Sequence, residues 1–284
     1  LAGTQCTAVL FGRSLRYATP QRLAVLHSRL SALPIRLLVI LLAAFVARGA
    51  LQLYSFHDPD EPISAALARS VLVDGRWGHA WLLQLGLAIV LIAAVSIVGA
   101  GDAAPRWWII GPVALLLWAQ SGMGHAASNR WPGLLGRAVD STHLLGASIW
   151  LGTLGVIGLT AAPVLSEPTD LPAMATLIRG FSVFARIGAA LAVSSGVVAA
   201  VVYAGSLHAF IASTWGRLLL GKVCALAGVA ALGWYNWRVA TPALATGEMA
   251  TPTLRRSIRI ELAFGVLMIA LTAVLVSTPL PGEG

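Results

Sequence analysis

Long apolar stretches recur along the whole 284-residue sequence. Each is near the roughly twenty residues that a helix needs to cross a bilayer. They fall at about 34–56, 78–99, 107–124, 141–163, 184–205, 217–237 and 260–280. The pattern predicts an all-α, polytopic transmembrane helical bundle of about seven spans. Composition agrees with it. Hydrophobic residues make up 58% of the chain and charged residues 11%, against the roughly 25% charge of a soluble domain. A water-soluble fold, a disordered chain and a fibre are excluded on that ground. Cys6 and Cys224 lie far apart, which suits neither a disulfide framework nor a thiolate metal site.

The net charge of +8 is carried almost wholly by arginines in short segments between apolar runs. That placement reads as a topology signal, with no nucleic-acid partner implied. Residues 1–33 hold Arg13, Arg16, Arg22 and Arg29 and no long apolar run. They are expected to form a basic N-terminal arm at the membrane surface, ahead of a transmembrane domain at 34–284. No apolar segment with a small-residue cleavage site follows these charges, so a cleavable signal peptide is not expected. Placing the N-terminus inside puts Arg106, Arg179, Arg238, Arg255, Arg256 and Arg259 on the same side as the arm. Arg69, Arg76, Arg130, Arg137 and Arg217 then fall outside, with the acidic Asp58, Asp60 and Glu61. The arginine excess favours this N-in, C-out arrangement.

On that map five of the six histidines lie near the outer face: His57, His79, His125, His143 and His208. Imidazole is the commonest protein metal ligand near neutral pH and suits copper, zinc, iron and nickel. His79, His125 and His143 open or close three consecutive spans, so short loops bring them to one depth. Asp140 precedes His143 by three residues and shares its helical face. A carboxylate there can orient a ligating imidazole; the pair also reads as an N-cap beside an interfacial side chain. Met123 and His125 offer a thioether and an imidazole, a combination suited to copper. They chelate together only where the helix has frayed, and Gly124 favours fraying. With four methionines in the chain, a methionine ladder for Cu(I) is disfavoured. Trp150, two turns below His143, either floors a site there or belongs to the core.

Ionisable residues inside spans are costly in lipid and mark functional positions by default. Arg48, Arg186, Lys222 and Glu261 are such residues. Lys222 and Arg186 can snorkel to the interface. Arg48 is too deep for that and should face the bundle interior. Gly152, Gly155 and Gly158, and Ala189, Ala192, Ser195 and Ala199, form small-residue faces for close helix packing. No phosphate loop, GxSxG elbow or HExxH motif occurs, so no enzyme activity is expected.

Two stretches, in their order, carry a family resemblance. Gly124-His125-Ala126-Ala127 precedes Asp140-Ser-Thr-His143-Leu-Leu-Gly-Ala-Ser-Ile-Trp150-Leu-Gly152. Further on stand Arg179-Gly-Phe181-Ser182, then Thr214-Trp215-Gly216-Arg217 running to Gly221-Lys222, then Leu254-Arg255 leading through Glu261 into a last span. Over about residues 75–281 this succession resembles the copper resistance protein D (CopD) family of bacterial inner-membrane proteins. The resemblance implies a multi-pass protein of the inner membrane that moves copper from periplasm to cytoplasm, often beside a periplasmic copper-binding protein of the CopC type. It also implies that His125 and His143 handle copper, with Asp140, Trp150 and Lys222 on other motif positions. Family members often have eight spans, one more than the runs counted here.

Three functions follow. The leading one is copper import through an outer-face site built from His125, His143, His79 and Met123, with Asp140, Trp150 and Lys222 in support. Haem b held between two histidines of facing helices is the second. The third is an accessory subunit of a larger membrane complex, for which the small-residue faces and the basic arm suit docking.

Overall fold

The computed structural model describes residues 1–14, 18–98, 107–124, 131–132, 134–165, 167–240, 242–243 and 251–281. No strand occurs among them. In chain order the helices are α1 (Ala2–Ser14), α2 (Pro20–Ser55), α3 (Ala65–Arg69), α4 (Arg76–Val98), α5 (Ile110–Ser121), α6 (Leu135–Val156), α7 (Ala162–Val164), α8 (Leu171–Ala204), α9 (Leu207–Ala212), α10 (Thr214–Tyr235) and α11 (Thr251–Ser277). Three π-helical turns extend α3, α6 and α10, at Ser70–Asp74, Ile157–Ala161 and Asn236–Ala240. Six helices are long and apolar enough to cross a membrane, and Trp107–Ser121 is a shorter apolar one. The chain is thus an all-α, multi-pass membrane bundle, in contact with lipid through faces such as Ile97, Val201 and Val266.

Local chemistry sets the helix starts. Thr19 caps α2, accepting at its side chain from the Arg22 amide, and Pro20 occupies the first turn, where no donor is missed. Ser64, Ser206 and Ser213 cap α3, α9 and α10 in the same manner. Pro34 lies within α2 and is buried, as membrane helices tolerate when neighbours cover the freed carbonyl.

The expected first span at 34–56 is the C-terminal part of one 36-residue helix, α2. Of the basic stretch 1–33, Phe11, Leu26 and Leu30 are buried in a common core with Leu154, Ile157, Met174 and Leu177. Helix α1 packs against α6 and α8, where Gly3 meets Gly152. Arg22 ion-pairs with Glu167, lies 3.7 Å from Asp170 and donates to the Val164 carbonyl at 2.8 Å. These bonds pin the start of α2 to the turn between α7 and α8.

Helices α6 and α8 form the tightest pair. A Cβ on Gly146 would stand 2.5 Å from the Gly188 carbonyl oxygen and the Ala192 nitrogen, and one on Gly188 2.6 Å from the Gly146 oxygen. Backbone therefore touches backbone, which only glycine allows. The sequence reading pointed to Gly152, Gly155 and Gly158 on α6, but the α8 contact is made one turn and more above them. Gly152 faces α1, Gly158 faces Ile258 and Leu262 of α11, and Gly152 and Gly155 line a cavity of about 470 Å³.

Arg48 finds its partner on α5. Its Nη1 donates to Gln120 Oε1 at 2.7 Å, its guanidinium lies 5.8 Å from the Trp77 ring, and Gln84 Nε2 donates to the same Gln120 oxygen at 3.0 Å. Gln84 is 1% exposed. One polar cluster thereby ties α2, α4 and α5. Arg48→Leu should lower stability by about 1–3 kcal/mol, because it strips a buried acceptor of a charged donor. Thermal unfolding in detergent would register it; an unchanged transition would show the cluster to be energetically idle.

Candidate metal centre

The connectivity sets the site's depth. As residue numbers rise along α6, its contacts on α8 fall, from His143 against Ala192 and Gly196 to Trp150 against Gly188. The pair is antiparallel, so the start of α6 and the end of α8 share one end of the bundle. His57 after α2, His79 at the start of α4, Met123 after α5 and His208 in α9 lie at that same end by the alternation of the helices.

The start of α6 is held by α5. Arg137 donates to the Trp118 carbonyl at 2.9 Å and stacks on the Trp118 ring at 4.5 Å. A cation on the last carbonyls of a helix is favourably placed. Ser141 donates to Ser121 Oγ at 3.1 Å. Asp140 and His143 follow on this fixed turn.

His143 is half-buried, with Nδ1 2.7 Å from the Ala192 carbonyl oxygen. A carbonyl can only accept, so Nδ1 carries the proton and Nε2 keeps its lone pair. Many ligating histidines are oriented by such a bond. Gly196 makes it feasible: a Cβ there would stand 3.2 Å from His143 Nδ1 and Cε1. The expected orienting partner was Asp140. The structure gives that bond to a backbone oxygen of α8 instead. Lys222 lies close enough to both Asp140 and His143 for their charges to interact. Asp140 and Lys222 are each half-buried.

The other predicted residues divide. Trp150 is 9% exposed and packs with Ala225, Val229 and Met268, which puts an apolar layer beneath the Asp140–His143–Lys222 group. Met123 is half-buried in the turn after α5. His79 is exposed on the first turn of α4. His125 lies outside the described residues. Among the described residues no group of three or more His, Cys, Asp or Glu side chains gathers as a metal cage. Among the described residues the lining of the 470 Å³ cavity carries no histidine.

Sequence reasoning missed Ala192 and Gly196 as parts of this site. Ala192 contributes a main-chain atom, which leaves no side-chain signature. Gly196 could have been noticed as the glycine of Ser194-Ser195-Gly196, one helical turn beyond Ala192.

The family model for copper resistance protein D matches residues 175–275, which hold Ala192, Gly196 and Lys222. The chain is 26% identical over 227 residues to the copper transport protein CutJ of Bacillus subtilis (strain 168), covering 76% of this chain and 39% of CutJ. It is 29% identical over 223 residues to copper resistance protein D of Pseudomonas syringae pv. tomato, covering 72% of this chain and 69% of that protein. Over residues 175–275 the chain is similar to the CopD family. The chain spans 39% of the length of the first of these relatives and 69% of the second. No solved structure matches it. The matched region supplies the carbonyl that orients His143 and the nearby lysine, while His143 and Asp140 come from α6, ahead of it.

Proposed function

We propose that this protein takes up copper at the histidine-bearing end of the bundle and passes it across the bacterial inner membrane into the cytoplasm. The observation that carries the reading is the His143–Ala192 bond, which leaves Nε2 as a metal-ready nitrogen with the charges of Asp140 and Lys222 nearby. His125, Met123 and His79, at the same end, are the further ligands of the proposal. Imidazole with thioether accommodates copper in either of its common charge states. The arginine distribution supports an N-in arrangement that turns this end to the periplasm, where a CopC-type protein would deliver the metal. The role is that of a carrier, not an enzyme.

Asp140 is the electrostatic partner in this scheme. In low dielectric the Lys222 ammonium opposes an arriving cation unless a carboxylate offsets it. Asp140→Asn removes the offset and should weaken copper binding about 10- to 100-fold, with the fold intact because the residue is half-buried and isosteric. Copper titration of the purified protein would read the change. Cells producing the wild type should also accumulate more cytoplasmic copper than cells producing His143→Ala; equal accumulation would remove His143 from the route.

A further inference from the structure

Glu261 lies at the opposite end of the bundle from His143, on the N-terminal part of α11. It is 6% exposed. Its Oε1 accepts from Asn236 Nδ2, and Asn236 Oδ1 accepts from Ser257 Oγ at 2.8 Å. The described ion pairs join Arg22 to Glu167 and Asp170, and Arg69 to Asp74; Glu261 takes part in none. A carboxylate in lipid without a cation is costly, and one amide donor offsets only part of that cost.

The surroundings of Glu261 are unusual in a second respect. Asn236 opens the π-helical turn Asn236–Ala240 of α10. Across α11, Gly158 sits in a second π-helical turn, Ile157–Ala161, against Ile258 and Leu262 on either side of Glu261. Such turns are rare in helices and concentrate at functional sites, because they trade regular backbone bonds for a local opening. Two of them flank this one carboxylate.

We propose that Glu261 is a proton-binding site that exchanges with the arginine-rich end of the bundle. The Asn236 amide holds Oε1, so the proton adds to the second carboxyl oxygen and leaves from it: carboxylate plus proton gives carboxylic acid, with no other bond changed. A single carboxylate with an amide and a hydroxyl is a poor set for a metal ion, and a proton needs no more. Glu261 is five residues from Arg256, or about 7 Å of helix rise, which is a short path to that surface. The charged groups on its neighbours leave the site uncrowded. On α11, Arg256 and Arg259 are exposed. On the α10 extension, Arg238 is occupied over the rings of Trp234 and Trp237. On α6 the charges are Arg137 and Asp140, with the titratable His143, all at the far end, and α10 carries Arg217 and Lys222 there as well. The apolar layer of Trp150, Ala225, Val229 and Met268 separates the two ends.

The test is an infrared pH titration of the full chain in lipid nanodiscs, with no metal added, so its outcome is independent of the copper proposal. The wild type should show a protonated-carboxyl stretch that rises and falls reversibly with pH. Glu261→Gln, which keeps the bond from Asn236, should lose the share of one carboxyl, seen as a single titrating band in the wild-type minus variant difference spectrum, while its amide bands stay unchanged. Asn236→Leu should move the midpoint by about one pH unit, a roughly ten-fold change in proton affinity. A wild-type minus Glu261→Gln difference spectrum with no titrating carboxyl band would overturn the proposal. A midpoint unmoved in Asn236→Leu would remove Asn236 from the site.

Discussion

A Gly188→Val chain is expected to yield almost no monodisperse protein. At Gly188 a Cβ would meet the Gly146 oxygen at 2.6 Å, the Trp150 nitrogen at 2.9 Å and the Trp150 Cβ at 3.0 Å. Two of these atoms belong to the backbone of a helix that is itself packed on α1, α5 and α11, so neither can yield cheaply. Overpacking costs about 1–3 kcal/mol where side chains can adjust; here valine should cost at least about 3 kcal/mol by the same reasoning. Gly233→Ala in α10 is the control, since its Cβ would meet nothing within 4 Å. Alanine there should be neutral or should raise stability by about 0.5–1 kcal/mol. Thermal unfolding of the two variants in one detergent would separate the effects. Equal behaviour would mean that the α6–α8 contact does not hold the bundle together.

His143→Ala is expected to have the largest effect on function. Removing the imidazole takes away a nitrogen whose tautomer the fold fixes, and copper affinity should fall by at least about 100-fold. Gly196→Val should reproduce much of that loss with the histidine still present. Its side chain would displace the ring from the Ala192 carbonyl, which stands one turn earlier on the same helix. His79→Ala should cost far less, because that side chain is exposed at the start of α4. If Gly196→Val bound copper as the wild type does, orientation of His143 by α8 would have no role.

The bundle was legible because lipid imposes a length on every span. The runs at 78–99 and 217–237 correspond to α4 and α10 within a few residues, and that at 260–280 to the greater part of α11, since apolar content alone defines them. Residues 1–33 were harder to read. Their arginines are conspicuous, whereas the burial of Phe11, Leu26 and Leu30 depends on what packs against them. At the candidate site, the residue types were visible but not the pairings. Asp140 stands one turn from His143, so the local reading joined them. The fold instead offers His143 a main-chain oxygen from α8 and brings the Lys222 charge of α10 near Asp140. Partners supplied by other helices leave no local pattern, and the same holds for Arg48 with Gln120 and for Glu261 with Asn236.

The central claim is that His143 is a copper ligand. Its most direct test is copper content per chain, measured by plasma mass spectrometry on the wild type and on His143→Ala, both purified in detergent after loading with copper and removal of the excess. The account predicts near-stoichiometric copper in the wild type and almost none in the variant. Equal copper in the two proteins, or none in a well-folded wild type, would contradict it.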